Sequence, residues 1–440
     1  MTGRRTTTAP QALAFGQVAS WGLFGSVAYA GCQWVMLVAL AKLGTVEMMG
    51  QFALGFAIAA PVFLLANISL REVLATDARA EHLFGDYLAL RLLTTVAGLL
   101  VISAIAGLVS YGWRTRAAIL LVGVVKAVEA LVDVLYGLMQ KHERMDLIAR
   151  SIATRGVLSL LAFGAAVYLL DSVHWALVLV AAVSALVLAT YDLRVAARLL
   201  ESRLAPRWVR IDLVRLTRLS LPLGVAAMLI SLSVMIPRYF VEHYRGEQEL
   251  GALVAMTYLT VIGSTVVNAV GQSASPRLAR YYAAGDYASV RRALVGLVGL
   301  GLGLGGAGVV IAAMWGREIL TAVYRPEYAE HVGAFTLIMA ATAIGYVASF
   351  LGHAMTSARL FRVQMPLFAG VAATALIACA TLVPAHGLVG AAHATLVTAA
   401  ANLFGVAALN AYALGRLGAA RPINESLYRR REPDPGVSRL

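Results

Sequence analysis

The sequence predicts an all-α, polytopic membrane protein of about twelve transmembrane helices, arranged as two parallel six-helix lobes around a central cavity. Three observations predict it: the composition, the placement of the basic residues, and an internal repeat. Of 440 residues, 60% are hydrophobic and 13% charged, whereas a soluble globular chain carries about 25% charged residues. Apolar runs such as Leu88–Val109, Ala117–Met139 and Ala293–Met314 approach the roughly 20 residues that cross a bilayer as a helix. A transmembrane barrel would need alternating strands of about 10 residues, and no such alternation occurs.

Taken in order, the spans predicted are 20–42, 51–70, 87–110, 117–139, 156–170, 174–191, 219–241, 250–271, 293–315, 332–354, 364–383 and 387–413. Short polar or Gly/Pro segments separate them, the shortest at Asp171 between the fifth and sixth. Residues 1–19 read as a cytoplasmic N-terminal segment with Arg4 and Arg5, and no cleavage signal precedes the first span. Residues 20–193 form the first lobe, 194–218 a basic cytoplasmic linker, 219–413 the second lobe, and 414–440 a polar cytoplasmic tail of disordered composition.

With the N-terminus inside, 27 of the 36 Lys and Arg fall in inner segments, six in outer loops and three (Arg91, Lys126, Arg238) within spans. That bias predicts both termini in the cytoplasm and an even number of spans. It also accounts for the net charge of +13 without nucleic acid as a partner. Cys32 and Cys379 lie in apolar runs and read as small buried hydrophobes. No spacing suggests a metal or cofactor, and no catalytic set is expected.

Gly85-Asp86-Tyr87 followed by Arg91 recurs as Gly285-Asp286-Tyr287 followed by Arg291, an offset of 200. The same offset aligns Ser20 and Leu23 with Ser220 and Leu223. Ser69-Leu70-Arg71 finds a shifted match in Ser275-Pro276-Arg277. Matches in order at equivalent places argue for two related halves. Six spans per half make the repeat parallel, an arrangement that suits alternating access in a transporter.

Five short motifs carry a family resemblance along nearly the whole chain. Leu43-Gly44-Thr45-Val46-Glu47-Met48-Met49-Gly50, Ser220-Leu221-Pro222-Leu223-Gly224, and Ser275-Pro276-Arg277-Leu278 with Gly285-Asp286 are three. Arg325-Pro326-Glu327-Tyr328-Ala329 and Val383-Pro384-Ala385-His386-Gly387-Leu388-Val389-Gly390-Ala391-Ala392 complete the set. Together they resemble the polysaccharide exporters of the multidrug/oligosaccharidyl-lipid/polysaccharide superfamily, including the O-antigen-type flippases. The resemblance implies a bacterial inner-membrane protein that moves undecaprenyl-pyrophosphate-linked oligosaccharides to the periplasmic leaflet. It implies membrane lipids, a polysaccharide polymerase and a chain-length regulator as partners. One departure stands out: where the family often has an acid beside the arginine late in the seventh helix, this chain has Pro237 before Arg238.

Polar residues inside spans are expensive and mark cavities or partner helices. Lys126, Glu129, Asp133, Tyr136 and Gln140 follow steps of three and four, so they share one face of the fourth helix. Glu129 and Asp133 are candidates for ion coupling; a self-neutralised Lys126–Glu129 pair that fixes packing is the alternative. Arg238, after a helix-kinking Pro237, could hold a phosphate or snorkel to headgroups. Arg71 and Arg277 could form a basic mouth or only orient the chain, and Arg91 could serve the cavity or anchor the rim. Gln33 could bond sugars or pack against a neighbouring helix. His353 and His393 read as helix-interface residues, and the seven glycines of Gly296–Gly308 as a packing surface.

A pyrophosphate diester carries about two negative charges, and each charge crossing 100 mV is worth ~2.3 kcal/mol. Its outward movement from a negative interior gains on the order of 4–5 kcal/mol, and no GxxxxGK[ST] nucleotide site is present. Rival readings are a cation-coupled drug or metabolite antiporter of the same superfamily, a membrane glycosyltransferase or polymerase, and a non-catalytic scaffold of polysaccharide assembly.

Overall fold

A computed structural model of the chain describes residues 15–419 apart from 78–81, 143, 201–203, 325 and 359. The expected N-terminal segment up to residue 14 and the tail from 420 onward lie outside the described residues. The described residues are helical apart from short connections, with no strand among them. The elements are α1 (Phe15–Leu43), α2 (Val46–Asn67), a short α3 (Leu70–Thr76), α4 (Phe84–Leu108), α5 (Trp113–Lys141), α6 (Met145–Leu170) and α7 (Val173–Val187). A π-helical turn, Leu188–Asp192, joins α7 to α8 (Leu193–Leu200). Then come α9 (Arg210–Leu259), α10 (Val261–Ala283), α11 (Tyr287–Val323), a 3₁₀ turn at Pro326–His331, α12 (Val332–Ser357) and α13 (Phe361–Ala419).

Eight of these helices are long and apolar enough to cross a membrane by length and composition. Two are double-length: α9 has 50 residues and breaks at Gly246 (φ 82°, ψ −178°), and α13 has 59 and breaks at Gly387 (φ 54°, ψ −131°). Only glycine adopts those torsions without strain. With these breaks, and with the charged α5 and the shorter apolar parts of α1 and α10, the chain is a polytopic membrane protein of the predicted class.

The boundaries depart from expectation in instructive ways. The fifth span, expected from residue 156, begins at Met145, which takes Arg150 and Arg155 into the helix. The sixth runs on through the π turn to Leu200. The kink expected at Pro237 is absent as a backbone break, since α9 leaves helical torsions only at Gly246. Residues 316–331, expected as the longest outer loop, are helical to Val323 and 3₁₀ from Pro326.

By contacts the chain divides into two compact units, Met1–Val261 with Leu320–Tyr328, and Ile262–Ile319 with Ala329–Leu440. This division falls later than the linker at 194–218 because α9 packs along α2. Small residues permit that approach. A Cβ on Gly224 would stand 2.7 Å from Ile68 Cα, one on Gly251 2.5 Å from Val46 O, and Gly50 lies directly against the Glu247 backbone. Between them the Tyr239 hydroxyl donates to Ala57 O.

In the second unit the glycines of α11 sort by face. Gly301, Gly305 and Gly308 meet Val347, Ala343 and Met339 of α12, whereas Gly296, Gly299, Gly303 and Gly306 have nothing within 4 Å. The expected packing surface is the face spaced by four and three. His353 lies 3.5 Å from Ser275 Oγ and His393 bonds Val389 O within its own helix at 2.9 Å.

The repeated Gly-Asp-Tyr starts a helix in both halves, but by different means. Asp86 sits inside the first turn of α4 and accepts from Leu83 N at 3.1 Å. Asp286 stands just ahead of α11 and accepts from Ser289 N at 3.0 Å, after Gly285 at φ 69°.

Candidate functional site

The site forms in the first unit, where α5 turns its charged stripe onto α1, α3, α4 and α6. Alanine, glycine and valine carry the rest of that helix into the core, so the polar side chains have only one another and the neighbouring helices to meet.

The inner part of the site is an arginine pair around one carboxylate. Arg91 of α4 is fully buried (0% exposed). It donates from Nη2 to Asp133 Oδ2 at 2.9 Å and from Nη1 to Asn67 Oδ1. Arg71 of α3 approaches the other oxygen, Nη1 to Oδ1, at 3.7 Å and donates from Nε to Gln140 Oε1 at 3.1 Å. Its guanidinium also lies 5.6 Å from the Tyr136 ring centroid. Arg91 is therefore an internal ion-pair partner. Its repeat mate Arg291 is exposed, so the two halves use the repeated arginine differently.

Further along α5, Lys126 Nζ meets Glu129 Oε2 at 2.8 Å and lies 4.9 Å from the Phe56 ring centroid. Tyr29 of α1 donates to Glu129 Oε1 at 3.2 Å, and Gln33 Nε2 donates to the Tyr29 hydroxyl at 2.9 Å. Tyr29, Gln33, Phe52, Phe56, Glu129, Arg155, Ser159 and Ser184 line one cavity. At about 20 Å³ the cavity has room for a water, and both coupling candidates, Glu129 and Asp133, are held by cations.

Two residues of this region were not anticipated as site residues. Arg155, assigned to a loop, is buried at 6% exposure. It donates from Nη2 to the Tyr136 hydroxyl at 3.2 Å and stacks near the rings of Tyr29 and Tyr136, while its Nε and Nη1 have no hydrogen-bond partner. Asp192, at the end of the π turn, is fully buried and neither of its carboxylate oxygens has a hydrogen-bond partner. The π turn inserts an extra residue per turn, a device often found at functional sites. Helical spacing from Tyr136 could not have found either residue, because both lie on other helices.

Arg238 of α9 also belongs to the first unit. It is 7% exposed and forms no ion pair among the described residues. Its neighbour Tyr239 reaches α2, so α9 is fixed there while the guanidinium is left without a carboxylate. Arg277, by contrast, lies exposed on α10 in the second unit. The expected pairing of Arg71 with Arg277 joins residues of different units.

Residues 222–383 match the MatE family model. The chain is 24% identical over 363 residues to the capsular polysaccharide biosynthesis protein CapF of Staphylococcus aureus, covering 82% of this chain and 90% of that protein. Among solved structures, the inward-facing form of a multidrug resistance MATE family transporter of the MOP superfamily superposes with a TM-score of 0.64 at 13% identity, covering 94% of this chain and 96% of that one. A mutant of the Vibrio cholerae MATE transporter VcmN gives 0.63 at 14% identity, covering 92% and 97%. A MOP superfamily transporter from Pyrococcus furiosus, described as having a binding pocket of reversed polarity, gives 0.63 at 11% identity, covering 92% and 95%. The chain has the fold of the MATE transporters.

Proposed function

We propose that this protein is a flippase for an anionic, lipid-linked oligosaccharide, serving cell-surface polysaccharide assembly from the bacterial inner membrane. The observation that carries the reading is Arg238, a buried guanidinium without a carboxylate partner among the described residues. A buried cation is stabilised by an anion or by hydrogen bonds, and a guanidinium presents a fork that matches phosphate oxygens. A drug antiporter of cationic cargo has no use for an unneutralised arginine. The likeness to a capsular polysaccharide biosynthesis protein agrees.

The remaining parts fit such a cargo. An apolar groove bounded by Ile58, Val62, Leu65, Val101, Met228 and Leu232 suits an isoprenoid chain. Arg71 is held to Asp133 at a longer distance than Arg91, so exchanging that contact for a passing phosphate would disturb the pair less. Outward movement of the anion along the membrane potential supplies the drive, and a polymerase with its chain-length regulator would consume the product.

The test is a chromosomal deletion with quantification of lipid-linked oligosaccharide in the cytoplasmic leaflet. Accumulation is expected, and it should be relieved by the wild-type chain, partly by Arg238→Lys, and not by Arg238→Ala at matched membrane abundance. No accumulation, or full rescue by Arg238→Ala, would overturn the reading. Loss of cationic dye efflux in the deletion, without oligosaccharide accumulation, would support the antiporter.

A further inference from the structure

The basic segment between the sixth and seventh spans is a built surface in this structure. α8 lays Val195 and Ala196 into the core with Tyr136, Leu138 and Met139 of α5, so its opposite face presents Arg194 and Arg198 outward. The connection that follows is pinned. Arg207 N donates to Gly85 O at 2.8 Å, and its guanidinium reaches Asp86 and Asp212, each at 3.3 Å. Arg215 and Arg218, three residues apart on one face of α9, are exposed.

Among the described residues Arg207 pairs with Asp86 and Asp212, while Arg194, Arg198, Arg215 and Arg218 form no ion pair. Exposed apolar side chains sit among them: Trp208 is 56% exposed and Ile211 61%. Arginines that only set topology need no fixed geometry. Here a packed amphipathic helix and a clamped linker hold unpaired arginines beside a tryptophan, the combination found where protein meets lipid headgroups.

We propose that α8 and the start of α9 form a binding surface for anionic phospholipid headgroups. Basic residues next to the bilayer attract anionic lipid, and the attraction grows with each arginine. The interleaved Trp208 and Ile211 favour a lipid over an acidic protein or a nucleic acid, since they can enter the interface while the guanidinium groups hold phosphate. The surface is separate from Arg238 and the α5 site, so it stands whether or not the cargo reading holds.

Purified full-length protein in neutral detergent is titrated with short-chain phosphatidylglycerol while its melting temperature is followed; a ligand that binds the folded state raises it. Phosphatidylcholine of the same chain length and inorganic phosphate are run in parallel. Stabilisation by phosphatidylglycerol alone is expected. In the variant Arg194→Gln/Arg198→Gln/Arg215→Gln/Arg218→Gln the half-maximal lipid concentration should rise at least fivefold, and Arg291→Gln/Arg292→Gln should leave it unchanged. The pairs Arg194→Gln/Arg198→Gln and Arg215→Gln/Arg218→Gln serve if the quadruple variant fails to fold, each with a smaller rise. Equal stabilisation by both lipids, stabilisation by phosphate, an unchanged midpoint in these variants, or an equal rise in the Arg291/Arg292 variant would overturn the proposal.

Discussion

Asp133 of α5 and Arg91 of α4 are joined by a 2.9 Å hydrogen bond inside the protein, and the arginine has no exposure at all. Removing one partner of such a pair leaves the other charge buried alone, which typically costs about 3–5 kcal/mol. Asp133→Ala should therefore lower the melting temperature of the purified protein markedly. Asp133 is 28% exposed at the side chain, so the lower end of that range is expected. The double variant Arg91→Met/Asp133→Leu should recover most of the loss. A double variant no better than Asp133→Ala would contradict the pairing.

Arg238 should behave in the opposite sense. It contributes no ion pair to the fold, so Arg238→Met should leave the melting temperature unchanged or raise it by the equivalent of about 1 kcal/mol. Transport should fall at least tenfold in the same variant. A loss of stability in step with the loss of transport would show that the guanidinium is structural.

Asp192 is fully buried with neither oxygen hydrogen-bonded. An unpartnered buried carboxylate is unfavourable, so Asp192→Asn should be tolerated, within about 1 kcal/mol of the wild type. Thermal denaturation of the purified variant checks this. A drop of several degrees would reveal a partner, with Ser151 and Arg155 of α6 the candidates.

The α11–α12 contact gives a prediction that needs no transport assay. Gly305→Leu places a side chain where even a Cβ would stand 2.5 Å from Ala343 Cβ, and such overpacking typically costs about 1–3 kcal/mol. Gly303→Leu points into open space and should match the wild type in yield and melting temperature. Equal damage from both would deny the face-specific packing.

The helical membrane fold was legible because hydropathy and charge bias act over whole spans. The stripe on α5 was legible too, since helical spacing places Lys126, Glu129, Asp133, Tyr136 and Gln140 on one face before any partner is known. What they meet was not. Arg91 was open between the cavity and the rim, and the structure buries it against Asp133. Arg155 was hidden by counting it among loop residues, when α6 starts eleven residues before the apolar run does. Asp192 was hidden at the edge of the sixth span. For Arg155 and Asp192 a charge at a span boundary was assigned to water, because hydropathy windows end where charged residues begin. Partner helices, absent from any local window, decide otherwise. The breaks at Gly246 and Gly387 fall where consecutive spans were expected to separate, in 242–249 and at the start of the twelfth span, and only the bend expected at Pro237 is not made there.

The break at Gly246 has a consequence for accessibility. A protease binds an extended stretch of several residues, which α9 does not offer on either side of a single non-helical residue. The irregular residues 204–209, between α8 and α9, are of a different kind. Limited digestion of the intact protein should leave the Gly246 turn uncut, any cut between α8 and α9 should fall ahead of the Arg207 clamp at residues 204–206, and a short epitope inserted at Gly246 should be far more disruptive than one placed between Leu204 and Pro206.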